Sequence, residues 1–158
     1  MNLIPCFVLS LPDCLDRRST ISGSLRDIDL SFEFFDAVDG RNGLDDDSER
    51  QIDREAARRA GAHMSDAEFA CALSHINIYR KIIADAIPYT LILEDDVTVD
   101  PSLIDFLSGK HYQDADLTQI YSSPKGCYVR RGGVNSFRVG TDRMCVLRRS
   151  HVVAPVAM

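Results

Sequence analysis

The sequence predicts an α/β fold with a largely parallel sheet flanked by helices. Short apolar segments rich in β-formers alternate along the chain with segments of helical periodicity, the order typical of parallel α/β proteins. Its 158 residues, 45% hydrophobic and 27% charged, are typical of one soluble globular domain. The chain contains no apolar run near the roughly 18–20 residues that span a bilayer.

Four segments are predicted to be strands. Residues 6–11 are apolar and β-prone and end at a Pro-Asp break. The N-terminus has no basic region and is interrupted by Pro5, which favours a first strand over a signal peptide. Residues 31–35 alternate in β fashion and run into a polar turn at residues 36–40. Residues 89–93 form a buried-type strand, and residues 117–121 are a weaker candidate.

Helices are predicted between these strands. Residues 16–27 carry an apolar stripe at helical spacing. A helix capped by Ser48, with Gln51 as its capping-box partner, is expected to stop at Gly61. A further helix is expected from Pro101 to Gly109.

The strongest helix signal is the capping box formed by Ser65 and Glu68. The apolar face expected of that helix consists of Phe69, Ala72, Leu73, Ile76, Tyr79 and Ile83. Glu68, Cys71 and His75 lie on another stripe, since steps of three, four and seven residues return to the same side.

Charge divides the chain unevenly. Residues 120–158 hold seven basic residues against the single acid Asp142, a charge of +6, which leaves −12 on residues 1–119. We therefore predict one domain over residues 1–125 and a basic segment over residues 126–158. The basic segment favours phosphorylated acceptors or peripheral contact with an anionic inner membrane, while a solvated face or disordered tail stays the simpler alternative. Nucleic acid is not an expected partner, because the acidic part would repel it.

Five cysteines are scattered along the chain without a CxxC pair. An odd, scattered set indicates reduced thiols in a cytoplasmic protein. Cys71 and His75 have the i, i+4 spacing of zinc ligands, but the sequence offers no second ligand pair.

An acidic triplet directly follows the third strand, at residues 94–96. Ligands of α/β proteins bind at the carboxyl ends of strands. In extended chain Glu94 and Asp96 point the same way, so they are the predicted ligands of Mn²⁺ or Mg²⁺, while Asp95 points elsewhere. The alternative is a solvated acidic turn.

Other polar residues near strand ends are candidates for binding a ligand. Arg17 and Arg18 follow the first strand and suit bidentate phosphate recognition, although surface charge on a helix explains them equally well. Asp36 and Asp39 flank a strand-end turn, where they would accept hydrogen bonds from a ribose or base, or simply form the turn. His75 beside Ser74 is either a ligand to a diphosphate or sugar hydroxyl or a polar group at the core margin.

Four blocks of the sequence, within about residues 5–107, resemble glycosyltransferase family 25, the bacterial lipooligosaccharide glycosyltransferases. Each block is weak alone, and their common order and spacing make the resemblance specific. The blocks are Val8-Leu9-Ser10-Leu11 with Asp16-Arg17-Arg18; Phe34-Phe35-Asp36-Ala37-Val38-Asp39-Gly40; Glu68-Phe69-Ala70-Cys71-Ala72-Leu73-Ser74-His75 with Tyr79; and Leu91-Ile92-Leu93-Glu94-Asp95-Asp96-Val97.

The resemblance implies a GT-A-like, Rossmann-like fold and transfer from a UDP-sugar, often UDP-galactose, to a lipooligosaccharide sugar. It places the triplet at the family's acidic metal motif, with Asp96 as the strongest ligand and Asp95 on the donor. The donor pocket would be lined by Arg17, Arg18, Asp36, Ala37, Val38, Asp39, Ser74 and His75. The resemblance names no catalytic base.

The sequence departs from the family after Gly140-Thr141, where members continue with an apolar, aromatic segment and this chain continues with residues 142–149, Asp-Arg-Met-Cys-Val-Leu-Arg-Arg. Donor binding is therefore better supported than catalysis. The alternative function is a truncated, inactive remnant that binds nucleotide-sugar. A receiver-type signalling module fits less well, because its acidic pair would follow the first strand.

Overall fold

The computed structural model describes residues 4–114, 117–118, 135–139 and 142–146. The chain divides into two compact units between Thr98 and Val99. Most of the predicted basic segment lies outside the described residues, so the boundary predicted at residues 125 and 126 stays a prediction.

The first unit is built on three parallel strands. These are β1 (Cys6–Ser10), β2 (Glu33–Asp36) and β3 (Leu91–Glu94), in the order β2-β1-β3. The register pairs Val8 with Phe34 on one side and with Leu93 on the other. The three strands predicted here and their parallel arrangement are confirmed.

The described residues of this unit form four helices. They are α1 (Leu15–Asp27), α2 (Asp46–Glu49), α3 (Arg54–Arg59) and α4 (Asp66–Ala84). The single helix expected over residues 48–61 is wrong, because Asp45 and Asp53 each accept a hydrogen bond from the first turn of a separate short helix. Ser48 lies inside α2, and Gly61, with φ of +82°, ends the segment as expected. No helix in the described part of the chain is long and apolar enough to cross a membrane.

The core lies on both faces of β1, whose five residues are all buried. Phe7 and Leu9 pack with Ile78 of α4 on one face. Side chains alternate along a strand, so Val8 and its neighbour Phe34 point to the opposite face, where the guanidinium of Arg18 in α1 lies 4.6 Å from the Phe34 ring centre. The helices α1 and α4 therefore cover opposite faces of the sheet.

The capping box predicted for α4 is present, with Ser65 and Glu68 bonded reciprocally. The predicted apolar face is partly wrong. Ile76, Tyr79 and Ile83 are exposed, while Ser74 and Ile78 are buried. Ala72 of the predicted face is exposed as well. The buried stripe keeps Phe69 and Leu73 of the predicted face and adds Ala70, Ser74 and Ile78.

The second unit contains α5 (Ser102–Ser108), a 3-10 helix (His111–Asp114) and the antiparallel pair β4 (Asn135–Val139) and β5 (Asp142–Val146). The helix predicted after Pro101 is confirmed as α5. Of the strand predicted over residues 117–121, the two described residues are not in a strand, and the remaining three lie outside the described residues.

The turn after β2 approaches α4 backbone to backbone at Gly40. A Cβ atom at this position would lie 2.6 Å from the carbonyl oxygen of Asp66 and 2.8 Å from the Cα of Ala67. These atoms belong to the first turn of a helix and cannot rotate away. The contact therefore requires glycine.

Replacing Gly40 with alanine should destabilise the first unit by roughly 1–3 kcal/mol, because the added methyl group overlaps the α4 backbone. Urea denaturation of the full chain measures the change. Gly23→Ala is the matched control, since a Cβ there meets no atom within 4 Å and alanine favours a helix interior by about 0.5–1 kcal/mol. Equal effects of the two substitutions would contradict the packing argument.

Candidate functional site

The carboxyl ends of the three parallel strands lie at one edge of the sheet, at Ser10, Asp36 and Glu94. Strand β1 lies in the middle of the sheet. The chain adds β2 on one side of β1 and then crosses over to add β3 on the other side, so the direction in which strands are added reverses. In open α/β sheets this reversal leaves a crevice beyond the strand ends, the usual place for a ligand. The predicted site residues of all four sequence blocks come from elements next to this edge.

Asp95 is held firmly at the edge. Its Oδ2 accepts a 2.7 Å hydrogen bond from the Ser10 hydroxyl, and its Oδ1 accepts one of 3.2 Å from Nη1 of Arg17. The Asp95 side chain is only 10% exposed, whereas that of Arg17 is 60% exposed. Asp95 is thus fixed from two sides, while most of the Arg17 guanidinium faces solvent.

The guanidinium of Arg18 is bonded mainly to other groups of the protein. Its Nε donates to the carbonyl oxygen of Leu11 and its Nη2 to that of Ser10, at 3.1 and 3.0 Å. Nη2 also pairs with the exposed carboxylate of Asp36, and the Arg18 side chain is 20% exposed. Of the two arginines predicted to bind phosphate, Arg17 is therefore the better placed.

The segment from Ala37 to Gly40 is anchored between β1 and α4. The amide of Ala37 extends the ladder by donating to the Ser10 carbonyl, and the amide of Val38 donates to the Ser74 hydroxyl at 2.8 Å. Ser74 is fully buried and donates in turn to the carbonyl oxygen of Ala70 at 2.7 Å. The structure thus brings two of the predicted blocks together through one buried hydroxyl.

Asp39 forms an exposed ion pair with Arg41, which also contacts Asp13. The Arg41 hydrogen bonds lower the pKa of Asp39 to about 2, so this carboxylate stays charged at neutral pH. Because Asp39 is bonded to Arg41, which also pairs with Asp13, its carboxylate is more suited to stabilising the turn than to binding a ligand.

His75 lies between α4 and the end of β3. Its Nε2 is 3.1 Å from Oε1 of Glu94, and the Cys71 thiol is one helical turn away on α4. Hydrogen bonds with Cys71 and then Glu94 raise the pKa of His75 to about 9, and the His75 contact lowers the pKa of Glu94. Glu94 and His75 are therefore an ion pair at neutral pH.

The two predicted metal ligands have different surroundings. β3 ends at Glu94 and the chain turns at Asp95 and Asp96, so the extended-chain argument for a shared face does not apply. Glu94 keeps one carboxylate oxygen beyond its bond to His75, and Asp96 is exposed with no hydrogen bond or ion pair to the described residues. Metal binding by this pair stays a prediction.

Sequence analysis missed Ser10, the residue that joins Asp95 to β1. A small hydroxyl at the end of an otherwise apolar strand was the available signal, because buried hydroxyls need a partner. It also missed Arg41, whose partner Asp13 lies 28 residues away. No local pattern indicates that contact.

Comparison with known proteins adds the family. The profile of glycosyltransferase family 25 (LPS biosynthesis protein) matches residues 3–148, most of the sequence. This chain belongs to glycosyltransferase family 25. The resemblance predicted from the four sequence blocks is thereby confirmed.

Relatives of this family 25 chain include the lipooligosaccharide biosynthesis protein lic2B of Haemophilus influenzae, 30% identical over 65% of this chain and 37% of the relative. A lacto-N-neotetraose biosynthesis glycosyltransferase, LgtB of Neisseria meningitidis, is 28% identical over 78% of this chain and 42% of the relative. A glycosyltransferase 25 family member from Aedes aegypti is 32% identical over 64% of this chain and 17% of the relative. The matched part is thus less than half the length of each relative.

In this family 25 chain, Ser74→Ala should lower the free energy of unfolding by roughly 1–3 kcal/mol. The buried methyl group of alanine cannot accept the hydrogen bond that the Val38 amide donates to the Ser74 hydroxyl. Urea denaturation measures the loss, and hydrogen exchange should show the Val38 amide losing protection. Ser24→Ala is the control, since Ser24 bonds only the carbonyl of Thr20 in its own helix and should change stability by less than about 0.5 kcal/mol. Unchanged protection of Val38 would contradict the bridging role.

The raised pKa of His75 should make stability depend on pH. Its pKa rises from 6.5 to about 9 on folding, so the stabilisation is complete below about pH 6.5 and is lost as the pH rises through 9. His75→Gln should therefore lower the free energy of unfolding by roughly 1–3 kcal/mol near pH 6 and by far less near pH 10. Urea denaturation of both proteins at the two pH values tests this.

The matched control is His63→Gln, which removes an exposed imidazole that makes no ion pair with the described residues. Its effect on stability should be small at both pH values. A loss for His75→Gln that is as large near pH 10 as near pH 6 would show that packing, rather than charge, is what the residue supplies.

Proposed function

We propose that this chain is a metal-dependent glycosyltransferase of the GT-A type that moves a hexose, galactose first among the candidates, from a UDP-sugar to a lipooligosaccharide or lipopolysaccharide acceptor. Membership of family 25 supports the reaction class. The names of the relatives, among them lic2B and LgtB, support the acceptor class. A cytoplasmic enzyme working at the inner membrane fits an acceptor of this kind.

One observation carries the placement of the donor. At the carboxyl edge of the sheet, an exposed guanidinium (Arg17) and an exposed carboxylate (Asp96) flank a fixed one (Asp95). Arginine is suited to the paired oxygens of a diphosphate. We therefore place the UDP diphosphate between the start of α1 and the turn after β3.

Mn²⁺ or Mg²⁺ is the proposed cofactor. Asp96 fits a hard cation because its carboxylate is exposed and makes no bond with the described residues, and Glu94 has a second oxygen free of His75. Such a cation supplies charge neutralisation for the UDP leaving group. These residues would hold it together with water and the diphosphate.

Side chains of the protein would support the same transfer reaction. An acceptor hydroxyl attacks the anomeric carbon of the sugar and loses its proton to a base and then to solvent, the bond from that carbon to the UDP oxygen breaks, and UDP leaves with the electron pair. Arg17 would stabilise the charge that develops on the diphosphate. Asp95 would orient Arg17, while Asp36 and the Val38 segment would line the nucleoside side of the pocket.

The binding step is tested by thermal unfolding with UDP, with Mn²⁺, with Mg²⁺ and with each cation plus UDP. UDP at about 100 times its Kd adds roughly 2.7 kcal/mol, a shift of a few degrees for a domain of this size. We expect that shift only with UDP and a cation together. Asp96→Asn should abolish the cation-dependent part, because a neutral amide is a poor ligand for a hard cation.

Asp27→Asn, an exposed carboxylate at the end of α1, should leave the shift unchanged. A full cation-dependent shift in Asp96→Asn would overturn the assignment of Asp96. Release of UDP from UDP-galactose, compared with other UDP-hexoses and with lipooligosaccharide present, then tests turnover. Binding without any release would favour the inactive nucleotide-sugar-binding alternative.

A further inference from the structure

A cluster of three potential metal ligands lies beside the proposed donor pocket, where α4 faces the end of β3. It consists of the Cys71 thiol, the His75 imidazole and the Glu94 carboxylate. Cys71 and His75 are four residues apart on one helix, so both project from the same side. Glu94 comes from a different element, which makes the cluster a product of the tertiary fold.

The spacing suits a single small ion. One ligand atom from each residue lies within 4.8 Å of the other two, and Nε2 of His75 is 3.1 Å from Oε1 of Glu94. A tetrahedral Zn²⁺, with bonds of about 2.0–2.3 Å, separates its ligand atoms by roughly 3.3–3.6 Å. Closing the cluster around an ion therefore requires movements of about 1 Å, within the reach of side-chain rotation.

The chemistry of the three groups selects the kind of ion. Sulfur and imidazole nitrogen are ligands that zinc prefers, whereas Mg²⁺ and Mn²⁺ favour oxygen. Three protein ligands also match the number found in zinc sites that keep a fourth position for water or substrate. The Cys71 side is exposed, so an ion reaches the cluster without opening the core.

We propose that Cys71, His75 and Glu94 bind one Zn²⁺ ion. On binding, the Cys71 thiol and the His75 imidazolium each release one proton to solvent, and His75 and Glu94 exchange their mutual contact for bonds to the metal. The ion would tie α4 to the strand end that carries the acidic triplet. The site shares Glu94 with the proposed donor cation, which would use the carboxylate oxygen that does not contact His75, but Zn²⁺ binding here needs neither nucleotide nor sugar.

Cobalt titration tests the site in the full, reduced chain without nucleotide. Co²⁺ takes the place of Zn²⁺ in such sites, and a thiolate ligand gives it a strong near-ultraviolet charge-transfer band. We expect this band to saturate at one Co²⁺ per chain and to disappear when one equivalent of Zn²⁺ is added. A cation held only by carboxylates gives no such band, so failure of the donor site and failure of this site are distinguishable.

Variants assign the ligands. Cys71→Ser should abolish the band, whereas Cys14→Ser, at the start of α1, should retain it. Loss of a partner that merely supports a ligand typically weakens a metal site by about 10- to 100-fold, so His75→Gln and Glu94→Gln, which remove ligands, should weaken Co²⁺ binding by at least tenfold. Circular dichroism checks that each variant is folded.

Three results would overturn the proposal. A band that persists in folded Cys71→Ser would mean that another cysteine binds the ion. Saturation of the native chain with Co²⁺ without a charge-transfer band would mean that the thiol is not a ligand. A band lost in Cys71→Ser but unaffected in affinity by His75→Gln and Glu94→Gln would likewise reject the three-ligand site.

Discussion

The hydroxyl of Ser10 joins the parts of the first unit that the candidate site depends on. It donates to Asp95 of the triplet and lies 3.3 Å from the donor Nε of Arg18, while the Ser10 carbonyl accepts from the amide of Ala37. Strand β1, helix α1, the turn after β2 and the turn after β3 thus meet at one residue that is 2% exposed. Burial strengthens these bonds and makes the loss of any partner costly.

A second buried hydroxyl, that of Ser74, repeats this arrangement on the other side of the edge. It satisfies the Val38 amide and is itself satisfied by the Ala70 carbonyl. Among the described residues, no buried side-chain nitrogen or oxygen lacks a hydrogen-bond partner. The polar groups that shape the edge are therefore fixed by the fold, while Arg17, Asp36 and Asp96 remain exposed to solvent.

Sequence patterns predicted the elements whose signals are local. The Ser65–Glu68 capping box, the helix after Pro101 and the three short apolar strands depend on neighbours along the chain. The expected helix over residues 48–61 failed because Asp45 and Asp53 provided two competing caps. The apolar face of α4 failed because periodicity groups residues on a face but does not say which face meets the sheet.

For the site, the sequence supplied the residues but only part of their pairing. Cys71 and His75 were related by helical spacing, yet Glu94 joins them only because β3 lies against α4. The Glu94–Asp96 pairing was argued from extended geometry, and the strand ends one residue too early for that geometry to continue. Arg17 and Arg18 were equivalent in sequence, and only the fold separates an exposed guanidinium from one that is enclosed.

The contact at Gly40 has a mechanical consequence. Where two backbones touch with no side chain between them, thermal changes in rotamer populations cannot alter their spacing. The turn after β2 and the first turn of α4 should therefore move as one body. Any motion that admits a ligand at this edge must then come from the side opposite this contact, where Arg17 meets the turn after β3 through a single, largely exposed hydrogen bond.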